Sequence, residues 1–121
     1  MARIVKRGEI WLVNLEPGFG REIHKKRPAL VLSKNSIHLQ TGHVIIVPAS
    51  SQVPTILGIE MVLVDKIEGL ERRSLLLPVF IRSIDQERLV KKIGVIGKAK
   101  LQTIEDAIKI VLDLREENYL Q

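Results

Sequence analysis

The chain has no cysteine among its 121 residues. That excludes a disulfide framework, a thiol nucleophile and a cysteine-built zinc site, and it agrees with a reducing compartment. Aromatic residues are scarce, at 3%. Trp11, Phe19, Phe80 and Tyr119 stand on separate segments and cannot form the row of stacked rings that a single-strand-binding sheet uses. No apolar run approaches the length of a membrane span, and the opening Met-Ala-Arg-Ile-Val-Lys-Arg lacks the apolar stretch of a signal peptide. The expectation is a soluble, cytoplasmic protein with no membrane contact. Walker phosphate loops, the Rossmann glycine fingerprint and the His-Glu-x-x-His zinc helix are all missing. His24, His38 and His43 lie apart, without metal-ligand spacing, and read as surface or loop residues.

What is present is an apolar content of 45%, enough for a packed core and too much for disorder. The length predicts one domain over residues 1–121, burying roughly two-thirds of its unfolded surface. The formal charge is +5, and its distribution is uneven. Residues 1–34 hold eight Lys or Arg against three Asp or Glu, whereas the remainder of the chain is nearly balanced. A basic patch in the first third of the chain attracts polyanions, nucleic acid first and acidic protein segments second.

Local patterns predict a mainly β chain. Glu9–Leu15 reads as a strand apolar on both faces, and Pro28–Leu32 as a second, with Pro28 at its first position because it has no N–H to donate. Residues 34–42 read as a connection with one short helical turn. His43–Val47 is a third strand, ending in Pro48-Ala-Ser-Ser-Gln52, and Ile59–Val64 is a fourth. Asp65–Arg73 reads as a turn region, and Ser74–Ile81 as a fifth strand bent or bulged at Pro78. Gln86–Lys91 is a short helical candidate and Ile93–Gly97 a brief strand. From Leu101 the period turns helical, with Leu101, Ile104, Ile108, Val111 and Leu112 on one stripe, flanked by Ala107 and Leu114, and Thr103–Asp106 as a capping pair. The fold class predicted is α+β, a small antiparallel barrel, closed or nearly so, with a C-terminal helix packed on it.

The connection between the first two strands, from Glu16 to Arg27, is far longer than a hairpin needs. It carries Arg21, His24, Lys25, Lys26 and Arg27. Long polar insertions between core strands are commonly binding or catalytic loops on a rigid scaffold, although a solvated turn would look the same. Arg27 stands at the mouth of the second strand and Ser50, Ser51 and Gln52 at the end of the third. If those strands are neighbours, a guanidinium fork and two hydroxyls converge on a phosphate-sized point. The competing reading gives Arg27 a salt bridge to Glu9 or Glu22 and makes the serines turn residues.

Arg7-Gly8-Glu9-Ile-Trp-Leu-Val, Gly20-x-Glu22, Arg27-Pro28-Ala-Leu-Val-Leu, Val47-Pro-x-Ser-Ser-Gln52 and Arg82-Ser-Ile-Asp85 occur in this order. In order and spacing they resemble the MazF/PemK toxins of type II toxin–antitoxin systems. The resemblance covers residues 6 to about 114. It implies an SH3-like, PemK-like barrel, a homodimer and metal-independent, cofactor-free cleavage of single-stranded RNA at short sequences. It also implies neutralisation by a cognate antitoxin that covers the RNA groove. Carried over by residue, it places the family's Arg on Arg27, its strand-end hydroxyl on Ser50 and its loop Glu on Glu22. Because arginine holds its proton too tightly to act as acid or base, proton transfer is expected from Glu22 or His24. Arg21, Lys25, Lys26, Ser51 and Gln52 would bind RNA. The implied chemistry is transphosphorylation: the ribose 2′-OH attacks the adjacent phosphate and leaves a 2′,3′-cyclic phosphate and a 5′-OH.

Three positions depart from the family pattern. Arg21 replaces a frequent Ser, and Ser50 a frequent Thr, which keeps the hydroxyl but loses the methyl that restrains its rotamer. Leu77-Pro-Val-Phe80 stands where many members carry Asp or Gln. The last change leaves open a relative that binds RNA or antitoxin without cutting.

Overall fold

The computed structural model describes residues 4–54, 57–58, 61–64 and 73–114. Its strands are β1 (Glu9–Asn14), β2 (Lys26–Val31), β3 (His43–Ser50), β4 (Val62–Val64), β5 (Ser74–Leu76), β6 (Arg82–Asp85) and β7 (Leu89–Val95), and its helices α1 (Asn35–Thr41) and α2 (Lys98–Val111). All pairings are antiparallel. The strands form one sheet in the order β4-β5-β3-β2-β1-β7, with β6 also on β3. The α+β class and the helix packed on a barrel-like sheet agree with the expectation, although β4 and β7 are its two ends and do not pair with each other.

Alternation along the strands splits the apolar residues between two faces. Trp11, Val13, Ala29, Val31, Val44, Ile46 and Ile84 form one core together with Ile23 from the long loop. Ile10, Leu30, Leu32, Val47 and Ala49 point the other way and meet Ile104 and Ala107 of α2. A sheet apolar on both faces needs cover on both; α2 covers one, and Val5 and the loop residue Ile23 help cover the other.

Several elements differ from the sequence reading, each for a tertiary reason. The fifth strand is interrupted where Pro78 opens a 3-10 turn, Pro78–Phe80, so β5 and β6 lie end to end along the same edge of β3. The helical candidate Gln86–Lys91 is instead a 3-10 turn, Gln86–Arg88, followed by β7. Helix-forming side chains there yield to pairing with β1 and to burial of Leu89. Residues 35–41 form a full short helix, α1. Helix α2 begins at Lys98, so Thr103 is interior to it and donates to the Ala99 carbonyl at 3.0 Å instead of capping. Leu112 and Leu114 are exposed beyond its end. Strand β2 starts two residues before Pro28, and β3 runs on to Ser50 because β5 pairs with Ala49 and Ser50. Residues 59–60 of the fourth predicted strand and 65–72 of the predicted turn lie outside the described residues.

His38, read as a surface residue, is only 4% exposed. Its Nδ1 donates to the Val5 carbonyl at 2.9 Å, which leaves Nε2 to accept the Ser33 hydroxyl at 2.6 Å. This ties α1 to the first described residues and to the end of β2. Arg7 performs a similar task on the other face, bonding the Leu32 carbonyl and Glu105 of α2.

Glu9 is 5% exposed. Its carboxylate accepts from the Lys6 N–H at 2.8 Å and the Trp11 indole at 3.1 Å, and faces Lys92 of β7 at 2.9 Å. Burial pushes the carboxyl up, but these hydrogen bonds and the Lys92 charge outweigh it and hold the group below its usual range. A carboxyl lowered by folding stabilises the fold above its unfolded value and loses that contribution as pH falls. We therefore expect the melting temperature to drop as pH is lowered past about 4.3, with a flatter acid limb in Glu9→Gln. Ile104, at 0% exposure, carries the docking of α2. Ile104→Ala should cost about 2–5 kcal/mol in denaturant unfolding.

Candidate active site

The site begins where the β2–β3 ladder stops. Ala29 pairs with Pro48, Leu30 with Val47 and Val31 with Ile46. Leu32 N–H donates to the Ile45 carbonyl, which makes alternate pairs the hydrogen-bonded ones. The next hydrogen-bonded pair would be Pro28 with Ala49, and Pro28 has no N–H to give. Pairing ends there. Continued in the same register, Arg27 comes opposite Ser50, on the face that holds Val13, Ala29 and Ile46.

Arg27 is half-buried and lies across from Val13 of β1. Its Nε donates to the His24 carbonyl at 2.7 Å. Neither acidic partner considered from the sequence holds it: Glu9 is committed to Lys92, and Glu22 accepts the Phe19 N–H at 2.9 Å within its own turn. Pinned by Nε, the guanidinium keeps its terminal nitrogens for a ligand, in the planar fork that suits two phosphate oxygens. The Ser50 hydroxyl oxygen accepts the Gln52 N–H at 3.1 Å, which leaves its proton to donate. Ser51 and Gln52 are exposed just beyond the strand.

The loop is organised by one carboxylate. Glu16 Oε1 accepts the Lys25 N–H at 2.6 Å and lies 2.7 Å from His24 Nδ1. Bonds from His24 and from the Lys25 backbone hold this carboxyl below its usual range. Lys25 has φ 72°, a left-handed conformation costing about 1–2 kcal/mol for a residue with a Cβ. Glu16 holds it there, and the Lys25 carbonyl accepts from Leu15. Below, Arg88 donates to the carbonyls of Asn14 and Glu16 at 3.0 and 2.6 Å. Gly18 runs so close to His24 that a Cβ there would lie 2.4 Å from the His24 Cβ. Arg21, Lys25 and Lys26 are exposed around this frame.

Arg27, Ser50, His24 and Lys25 thus belong to one neighbourhood. Glu22 lines a cleft of about 260 Å³ with Ile23, Val79, Phe80, Ile81 and Arg82. Val79, 58% exposed, and Phe80 therefore bring the departure from the family pattern into the cleft that Glu22 lines. Three residues of the neighbourhood were not singled out for it in the sequence: Glu16, Arg82 and Phe19. Arg82 belongs to a recognised motif, which was the available signal. Phe19 is 84% exposed in the loop; its place after Pro17-Gly18 in the polar connection was the available signal. Among the described residues no three His, Asp or Glu side chains gather as potential metal ligands, and no helix is long and apolar enough to cross a membrane.

Residues 6–112 match the family described as PemK-like, MazF-like toxin of type II toxin–antitoxin system. Endoribonuclease MazF9 of Mycobacterium tuberculosis is 34% identical over 116 residues, spanning 92% of this chain and 98% of that protein. Endoribonuclease EndoA of Bacillus subtilis is 31% identical, spanning 92% of this chain and 97% of its own length. The crystal structure of MazF from Deinococcus radiodurans superposes with a TM-score of 0.83, at 22% identity, over 93% of this chain and 100% of that one; at that identity it speaks for the fold. On the matched span and these identities, the chain belongs to the PemK-like, MazF-like toxins of type II toxin–antitoxin systems.

Proposed function

We propose that the chain is a cytoplasmic endoribonuclease toxin that cuts single-stranded RNA, messenger RNA included, at short sequences and without a metal ion, and that a cognate antitoxin silences it. The observation that carries this reading is the aim of Arg27. Its Nε is tied to the His24 carbonyl, its terminal nitrogens are left for a ligand, and the register brings it opposite the Ser50 hydroxyl. In the reaction the ribose 2′-OH attacks the neighbouring phosphorus, O2′–P forms, P–O5′ breaks, and a 2′,3′-cyclic phosphate and a 5′-OH result. Arg27 stabilises the charge that grows on the pentacoordinate phosphate, the kind of electrostatic term that usually dominates catalysis. Ser50 donates to a non-bridging oxygen and aligns the phosphate. A proton must leave the 2′-OH, and Glu22 and His24 are the loop side chains able to take it. Arg21, Lys25 and Lys26 bind neighbouring phosphates, and Ser51 and Gln52 line the strand's path past Ser50.

The same reading makes the working unit a homodimer, for which the exposed apolar side chains of Ile110, Leu112 and Leu114 leave surface to cover. An antitoxin segment would meet the basic loop, where acidic side chains find their complement. Val79 and Phe80, at the cleft shared with Glu22 and Arg82, favour a second reading, a relative that binds RNA or antitoxin without cutting.

Purified protein incubated with a long, weakly structured RNA in EDTA should yield discrete fragments with 5′-OH ends. Arg27→Ala should lose about 2.7–4 kcal/mol of transition-state stabilisation, the cost of removing one oxyanion donor; undiminished cleavage in that variant removes Arg27 from the mechanism. RNA that binds but stays intact favours the second reading. Binding should weaken with salt, with a log–log slope of about −0.7 for each phosphate held, and a flat response would move the RNA surface away from the loop.

A further inference from the structure

We propose that Glu16 and His24 form the acid–base dyad of this site, with His24 the catalytic residue that takes the 2′-OH proton and Glu16 a positioning residue that holds its ring. The inference rests on the ribonuclease reading above and assigns the proton-transfer step that reading leaves between Glu22 and His24.

The geometry of the pair carries it. His24 Nδ1 lies 2.7 Å from Glu16 Oε1. An ionised carboxylate can only accept, so the shared proton belongs to Nδ1 and Nε2 keeps its lone pair. The bonds from His24 and Lys25 favour the ionised form of Glu16. This is the arrangement by which a carboxylate fixes the tautomer and orientation of a histidine base. The Lys25 N–H on the same oxygen holds the carboxylate in place, and the contact with Gly18 packs the imidazole's base against the loop. The charged group on the ring is Glu16, just past β1, with Lys25 next in sequence, Arg27 bonded to the His24 carbonyl and Arg88 bonded to the Glu16 carbonyl.

The link to the phosphate site is direct. The His24 carbonyl is the acceptor that aims Arg27, at 2.7 Å, so one residue carries both the proton acceptor and the anchor of the phosphate-binding fork. Competing bases among the described residues are less suited. Glu22 Oε1 is engaged by the Phe19 N–H. His38 is buried with both ring nitrogens bonded. His43 opens β3 at the end opposite Ser50, with Nδ1 on the Thr41 carbonyl.

In the proposed step His24 Nε2 accepts the 2′-OH proton as O2′–P forms. The P–O5′ bond then breaks, and O5′ takes a proton from solvent. The imidazolium, beside the Glu16 carboxylate, returns its proton to solvent, and the cycle closes with no other reactant consumed.

The test is steady-state cleavage, in EDTA, of a short RNA spanning a mapped cut site. His24→Ala should lower kcat by about 10²–10⁴-fold, leave KM and RNA affinity within a few-fold, abolish the acid limb of the kcat/KM pH profile, and recover part of its rate on addition of imidazole. Glu16→Gln keeps an acceptor for Nδ1 and Lys25 but removes the charge; kcat should fall, by up to about 10⁴-fold, the loss when a triad carboxylate becomes its amide, with KM unchanged. Cleavage by His24→Ala within a few-fold of wild type overturns the dyad, as does a rate loss with an unchanged pH profile and no response to imidazole. Wild-type cleavage abolished by Arg27→Ala but untouched by His24→Ala sinks the dyad alone. A wild-type protein that does not cut RNA removes the ribonuclease reading and the dyad with it.

Discussion

A missing amide hydrogen shapes this site. Pro28 stands where the β2–β3 ladder would make its next bond, and the two strands part company there. Beyond that point Arg27 and Ser50 come opposite each other across backbones that the ladder no longer pairs. Nearer the core the same two strands are fully paired and buried on both faces. The site is therefore a frayed end of an otherwise rigid register, and its precision derives from the paired residues behind it.

The long loop meets the sheet at several points around that end. Ile23 plugs it into the core, Arg88 ties its base to the turn after β6, and Glu16 holds its return in a left-handed bend. A loop anchored this way can keep basic side chains close together despite their repulsion, because its backbone is held by contacts that do not involve those charges. The loop's Arg21, Lys25, Lys26 and Arg27 are thus displayed on a fixed frame.

Much of this was readable from residues alone where the signal was strong and local. β-Branched strands, the helical stripe of α2, the break at Pro78, and the grouping of Arg27 with Ser50 on neighbouring strands follow from pattern and motif order. The errors fall where tertiary pairing overrides local preference. Gln86–Lys91 has helix-forming side chains, yet β1 recruits the segment from Leu89 onward as a strand. His38 carries no periodic mark of burial and is enclosed by Val5 and Ser33, partners distant or offset in sequence. Glu16 could not be distinguished from any acidic turn residue, since its importance comes from Lys25 and His24 folding back onto it.

Arg27 is aimed by a main-chain carbonyl and not by a side chain. Every amino acid offers that carbonyl, so substitution at position 24 can replace the imidazole while Arg27 keeps its anchor. The anchor and the tunable group are separable by mutation although they share a residue. A site built this way can change its ionisable side chain without first losing the aim of its guanidinium.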